Sequence, residues 1–391
     1  MSGPGGAAGG PRLVLANLGF EEELRARFGA GGPARTLSAA ARRMAAAAGA
    51  RLRVFCRAGD RLWLPAALDP GSLPELGGLP RPVLEHGPPE ALAPAAALLA
   101  WGEGPRAAAL RERWGIEPPG PGGEPAGAPL HEAVWCLPVA PPEVVARVAH
   151  RGFCLELARE RGWALPGARL VSGPGEIEAG VPEGGRSDQG ASGGRSDQGA
   201  SGGRSDQGAS GAWVVKAPFS AAGRERLVGA GPEALADPRV RRRLDGLFAR
   251  HGSLLFEPWV ERTADFGAAG FVTPEATRLV TVHRQEVGPG GAFRRIRPDG
   301  APGAASGLAP AERDLLETAF HAAARALGAA GYAGPFGIDA FRWRRPGGGE
   351  SFHPLCEINP RLTFGLVARA LAERAPGSDA EGREGASLAP L

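Results

Sequence analysis

Lysine is all but absent from this 391-residue chain: of 45 basic residues, Lys216 is the one lysine and the other 44 are arginine. Asparagine occurs twice, at Asn17 and Asn359, and tyrosine once. With 62 Gly and 38 Pro, the gene reads as GC-rich, which drains residues with AT-rich codons. Chance is then the plain account of any survivor, and chemical necessity the sharper one where a survivor falls in a motif-like stretch. Four cysteines (Cys56, Cys136, Cys154, Cys356) are scattered with no CxxC pair, which argues against structural zinc and for reduced core thiols. A net charge of +3 is nearly neutral for this length, and no dense Arg run interleaves with aromatics, so nucleic acid is not indicated. Met1–Gly10 lacks a basic segment and an apolar run and does not read as a signal peptide. The most apolar window, Ala91–Trp101, is too short to span a bilayer. The expectation is a cytoplasmic protein without a membrane or nucleic-acid partner.

The length suffices for two or three domains. Leu13–Asn17 reads as a buried strand, Glu21–Phe28 and Thr36–Ala48 as helices and Arg51–Phe55 as the next strand, an α/β unit with a parallel pair. No GxGxxG follows the first strand. Helices are expected at Ala91–Ala100 and Arg106–Trp114, a surface loop at Pro118–Pro129, and a closing strand at Ala133–Leu137. Pro142–Arg161 has helical periodicity, split near Arg151–Gly152, and leads to a strand at Ala168–Val171. Three identical nine-residue copies of Gly-Gly-Arg-Ser-Asp-Gln-Gly-Ala-Ser then fill 184–210. They hold no aliphatic beyond Ala and pair each Asp with an Arg, so they read as a disordered insertion rather than a calcium-binding β-helix. Strands are expected at Ala212–Lys216, Ser253–Glu257, Phe266–Val272, Arg278–Gln285 and Phe293–Ile296. Helices are expected at Leu235–His251, Pro310–Leu327 and Phe364–Arg374. Gly337–Trp343 and Phe352–Ile358 form a hairpin around Pro346–Gly349.

Chemistry concentrates at Glu357-Ile358-Asn359-Pro360-Arg361. In an extended segment Glu357, Asn359 and Arg361 share one face while Cys356 and Ile358 turn into packing. A carboxylate, an amide oxygen and a guanidinium side by side suit Mg²⁺ shared with phosphate oxygens and an anion clamped by arginine. Asp339 is a carboxylate in an otherwise apolar strand, and the hairpin would bring it to Glu357. Its plainer reading is a hydrogen-bonded structural acid. Lys216 ends a strand and faces a small-residue loop, Ser220–Gly223, whose N–H groups could approach phosphate. A surface Lys at a strand end is the competing reading, because this is not a Walker A sequence.

The order strand–Lys216–loop, Glu257-Pro258-Trp259-Val260, Asp339 and Glu357-Ile358-Asn359-Pro360-Arg361 resembles the ATP-grasp superfamily, over about residues 149–375. The resemblance implies an N-terminal α/β domain at 12–148, then a two-lobed α+β grasp at 149–375. Its lid would span about 170–255 around the repeats, with disordered ends at 1–11 and 376–391. It implies ATP and Mg²⁺, or Mn²⁺, as cofactors. Arg151 stands where the family usually has its first phosphate-binding Lys, a departure that keeps the charge. Lys216 matches the second, with Ser220 and Gly223 in the phosphate loop. Glu257 to Val260 match the adenine hinge and Asp265 the ribose acid, at slightly different spacing. Asp339, Glu357 and Asn359 match the metal ligands, and Arg361 the residue that stabilises the transferring phosphoryl group.

The activity implied is ATP-dependent carboxylate–amine ligation through an acyl-phosphate, on small-molecule acids and amines. No Ser/His/Asp or Cys/His arrangement is needed or found in the sequence, and a closing lid would exclude water. The family is often dimeric, which leaves room for a homodimer. Two rivals stand beside this reading: another ATP-grasp chemistry, biotin-carboxylase-like or phosphoryl-transferring, and a catalytically silent nucleotide-binding regulator. Arg284, Arg294 and Arg295 could border an acidic substrate, although surface charge is favoured. His283 and His353 read as packing residues, and Asn17 is the one suggestive residue of the N-terminal part.

Overall fold

The computed structural model describes residues 10–30, 32–69, 71, 79–120, 127–179, 211–220, 225–287, 293–298 and 307–374. The repeats at 184–210, the tail at 376–391, residues 1–9 of the N-terminal segment and Gly223 lie outside the described residues, as do 121–126 of the expected loop.

The N-terminal third is built on four short parallel strands, β1 (Leu13–Leu15), β2 (Arg61–Trp63), β3 (Val83–Glu85) and β4 (Leu98–Ala100), in the order β3-β2-β1-β4. Helix α1 (Phe20–Phe28) follows β1. Helix α2 (Ala39–Gly49) starts at Ser38, whose hydroxyl accepts from the Ala41 N–H at 3.1 Å. Helix α3 (Pro105–Trp114) stops at Gly115, which takes the left-handed conformation at φ 64° that glycine adopts without strain.

Three expectations fail in this part. Arg51–Phe55 is a buried 3-10 helix (Ala50–Phe55), and the strand comes six residues later as β2. Ala91–Ala100 is not a helix: a 3-10 turn ends at Ala91 and the apolar residues at its end form β4. Ala133–Leu137 is not a strand but the end of α4 (Leu130–Ala133) and a 3-10 turn. Short segments such as these do not separate helix from strand by pattern: Arg51–Phe55 alternates Arg with apolar residues yet is helical, and the other two are short apolar runs without a clear period.

Helices α5 (Pro142–Ala149) and α6 (Arg151–Glu160), split at His150, connect to an antiparallel sheet. Its strands are β5 (Arg169–Val171), β6 (Ala212–Lys216), β7 (Arg226–Ala230) and β8 (Leu254–Pro258), in the order β5-β8-β6-β7. Helices α7 (Pro174–Glu178) and α8 (Pro238–His251) complete this small lobe around Trp213, Leu244 and Phe256. The repeats therefore interrupt the small lobe between α7 and β6.

The large sheet is antiparallel: β9 (Arg262–Val272), β10 (Thr277–Val287), β11 (Phe293–Pro298), β12 (Gly334–Arg344) and β13 (Glu350–Asn359), in the order β11-β10-β9-β12-β13. Long helix α9 (Pro310–Ala329) covers one face, where Phe320 stacks on Phe336 at 4.5 Å beneath Gly270. Burying each such ring contributes about 1.5–3 kcal/mol. Helix α10 (Phe364–Arg374) lies on the other face, its Gly365 packed so closely on the His283 ring that a Cβ would meet it at 2.5 Å. The α10 face is the one that carries the chemistry.

Candidate active site

The β12–β13 hairpin does what its sequence suggests. Asp339 and Glu357 are direct partners across it, with Gly337 opposite Asn359, and directly opposed residues share a face. Next along the sheet, Gly267 of β9 sits opposite both Asp339 and His283, and the His283 ring and the Gln285 amide fill the space a Cβ there would take. Gln285 of β10 reaches over that glycine and donates to Asp339 Oδ1 at 2.7 Å. Asn359 Nδ2 donates to Asp339 Oδ2 at 3.0 Å, and its oxygen accepts from Arg361 Nη2 at 2.7 Å.

Arg361 is held from a distant part of the chain. Its Nε donates to Glu21 Oε1 in the first turn of α1 at 3.1 Å, and its guanidinium lies 5.0 Å from the Trp101 ring centroid. Glu21 is buried and its second oxygen has no hydrogen-bond partner. Burial raises its pKa against the opposing pull of Arg361. Sequence reasoning missed Glu21, Trp101 and Gln285. Acidic residues are common in first helical turns anyway, so Glu21 carried no signal.

Arg151, at the start of α6, occupies the middle of the site. Its Nη2 lies 3.0 Å from Glu357 Oε1 and also donates to the Ser220 carbonyl at 2.9 Å. Its Nε donates to the Ala217 carbonyl at 2.9 Å, and its backbone N–H to Pro218. The planar fork thus ties the loop after Lys216 to the metal-ligand candidate, a task a point charge could not perform.

Lys216 and Glu257 pair with each other, 8% and 6% exposed. Burial pushes the Glu257 carboxyl up, but the Lys216 ammonium and its hydrogen bond outweigh it, so the carboxyl sits below its usual range. Val260 packs with Leu155, Leu165, Leu255 and Phe341 at the contact of the two lobes. Asp265 pairs with Arg262 at 3.1 Å, and Arg262 stacks 4.0 Å over Phe341. The cavity between the lobes, lined by Arg151, Leu165, Glu257 and Cys356, measures only about 10 Å³.

Other expectations sort as follows. His283 and His353 are buried, and desolvation lowers both to a pKa of about 4. Asn17 clamps the ends of β1 and β4: its amide donates to the Gly102 carbonyl at 2.8 Å and accepts from the Gly102 N–H at 3.2 Å. It has a structural task. Arg284 and Arg295 stand opposite Arg297 and Glu286, on the face away from Gln285 and Asp339, while Arg294 is exposed at the register shift.

Among the described residues no three His, Cys, Asp or Glu side chains cluster as a metal cage. Two adjacent carboxylates, one of them the partly exposed Glu357, nonetheless fit Mg²⁺, which is held through one or two carboxylates plus substrate phosphates.

No protein-family model and no curated protein sequence matches the chain. Among solved structures, 92% of the chain aligns with 67% of a biotin carboxylase–β,γ-ATP complex from Campylobacter jejuni, at TM-score 0.52 and 10% identity. Likewise 94% aligns with 70% of the biotin carboxylase domain of Hydrogenobacter thermophilus 2-oxoglutarate carboxylase, a complex with MgADP, ADP and bicarbonate, at TM-score 0.50 and 13% identity. The chain has the ATP-grasp fold. Along the chain the parallel sheet of β1–β4 comes first, then the sheet of β5–β8 and then the large sheet of β9–β13. Among the described residues no helix is long and apolar enough to cross a membrane.

Proposed function

We propose that this protein is an ATP- and Mg²⁺-dependent ligase that joins a carboxylate to an amine through an acyl-phosphate. The observation that carries the reading is the convergence of Asp339, Glu357 and Asn359 with Arg151 and Arg361 on one face of the large sheet. Phosphoryl transfer to a carboxylate needs charge stabilisation and positioning rather than a protein nucleophile, and this set supplies fixed charge without one.

Mg²⁺ held by Asp339, Glu357 and Asn359 would neutralise charge on the transferring phosphate. Lys216, released from Glu257, would meet the phosphates from the small lobe. Arg361 would hold the transferring group, with its guanidinium steered by Glu21 and braced on Trp101. Arg151 would couple the loop 217–220 to Glu357, so that loop and metal ligand move as one. Nucleotide pockets need several hundred Å³, far more than the 10 Å³ between the lobes. On this reading entry would part the cluster of Leu155, Leu165, Val260 and Phe341, and closure would then exclude water from the acyl-phosphate.

The sealed Lys216–Glu257 pair and the closed gap favour one other reading, a grasp-shaped module that binds no nucleotide. Thermal melting with and without Mg-ADP separates the two. Ligand at a hundred times its Kd stabilises by about 2.7 kcal/mol. The proposal expects a Mg²⁺-dependent rise in Tm of a few degrees in the wild type that shrinks in Glu357→Gln, followed by ADP release in a screen of acids and amines. No rise in the wild type would leave the silent module.

A further inference from the structure

A second cavity lies away from the candidate active site. It lies on the opposite side of α6, with a volume of about 590 Å³, well inside the range of small-molecule sites. Arg151, Cys154 and Leu155 face the closed gap, whereas Gly152, Phe153 and Glu156 line the large cavity. The far wall comes from the end of α1, from α5, from Leu170 of β5 and from Pro218–Phe219 in the loop that Arg151 holds.

Its chemistry is lopsided. Phe28, Phe153 and Phe219 give three aromatic walls, and Phe28 is 40% exposed. The charges at the rim are not equivalent. Arg25 is engaged by Glu22 at 2.7 Å and by the Pro33 carbonyl, and Arg147 donates to the Ala330 carbonyl. Glu143 and Glu156 are exposed carboxylates that make no ion pair or hydrogen bond among the described residues. His251 also lines the cavity. Its side chain is 1% exposed, its Nε2 lies 3.0 Å from Glu225, and its Nδ1 is buried with no hydrogen-bond partner. Desolvation lowers the pKa of His150, which adds no positive charge in the wall near neutral pH.

We propose that this cavity is a second small-molecule site that takes a ring-bearing primary amine. Its ring would lie among Phe28, Phe153 and Phe219, and its ammonium would face Glu143 and Glu156, with cation–π attraction from the rings. A carboxylate ligand would meet two unpaired acids and only engaged arginines. The site is separate from the candidate active site but shares α6 and the Pro218–Phe219 loop with it.

Ligand-observed NMR on the full chain tests this with 2-phenylethylamine as the probe and 3-phenylpropionate as the same ring with the opposite charge. The amine should bind at least tenfold more tightly than the acid. Ala30→Trp, at an exposed position on the cavity wall, should weaken the amine at least tenfold while leaving Tm unchanged. The double variant Glu143→Lys/Glu156→Lys should reverse the preference between the two probes. Equal binding of both probes, or undiminished amine binding to a folded Ala30→Trp, would overturn the proposal. So would loss of the amine in Glu357→Gln, which would put the probe in the candidate active site. None of these arms needs nucleotide, so the outcome is independent of the ligase reading.

Discussion

Lys216 and Glu257 meet almost out of reach of water, whereas Asp339 and Glu357 stand side by side on the large sheet, with the Glu357 side chain 27% exposed. Both regions pair carboxylates with cations, yet the physics differs. A buried pair has already given up hydration, so each partner depends on the other. The hairpin acids keep part of theirs and draw the rest from Gln285, Asn359 and Arg151. The small-lobe end of the site is thus built into stability, and the hairpin end is available for chemistry.

The sharpest way to break that contrast is to unpair the buried end. Lys216→Ala or Glu257→Ala should each destabilise the fold by about 3–5 kcal/mol, because each strands a buried charge. The double variant Lys216→Met/Glu257→Leu should recover most of that loss, since apolar replacement of a buried pair is often neutral. Urea midpoints of the singles and the double form the cycle. Additive losses would mean that the two groups do not depend on each other.

At the hairpin the order should invert. Glu357→Gln keeps the shape and an acceptor for Arg151, so its urea midpoint should move by less than about 1 kcal/mol, as for other partly exposed positions. Nucleotide-dependent ADP release should fall by about 10²-fold or more, as when one fixed electrostatic group is lost. A loss of stability comparable to that of the Lys216 single variant would erase the distinction between the two ends.

Arg151 bridges the regions, and Arg151→Lys measures how much the bridge matters. An ammonium cannot serve Ala217, Ser220 and Glu357 in one planar geometry. The expected loss is about 1.5–3 kcal/mol, the range of a hydrogen bond that involves a charged group, with a rise in the KM for nucleotide. Unchanged stability and KM would show that charge alone is needed there.

How far the sequence revealed this arrangement follows from the range of each contact. The β12–β13 hairpin was legible because the Pro346–Gly349 turn joins two alternating strands, but the irregularity between Asp339 and Phe341 that brings Asp339 opposite Glu357 was not. Lys216 and Asn359 stood out through scarcity. Glu21 did not, since its partner Arg361 lies 340 residues away. Strand β2 was hidden for a related reason. Arg61 is buried in it beside Glu85 at 3.3 Å and the Ala93 carbonyl at 2.8 Å, so a strand interior presents as polar sequence. Arg51–Phe55 failed in the opposite sense, its alternation of Arg with apolar residues imitating a strand although both arginines are buried.

The smallest expected effect sets the two buried glutamates against each other by pH. Glu257 has its folded pKa lowered by Lys216. Its contribution is complete above the unfolded carboxylate range and is lost as pH falls through the folded value. Glu21 has its pKa raised, first by burial. Between the unfolded and folded values the native state binds more protons than the unfolded one, so stability declines as pH rises through that window. The two slopes oppose each other near the ordinary glutamate pKa of 4.5. Glu21→Gln removes only the second, so the variant should gain stability relative to wild type as pH rises from below 4.5 towards neutrality. The Glu21–Arg361 bond is weakened in that variant at every pH, so the difference is read as a slope rather than an offset. Urea midpoints of both proteins across the acid range decide it. Parallel curves would mean that Glu21 titrates as an ordinary carboxylate, and its unpartnered oxygen would then be satisfied in solution.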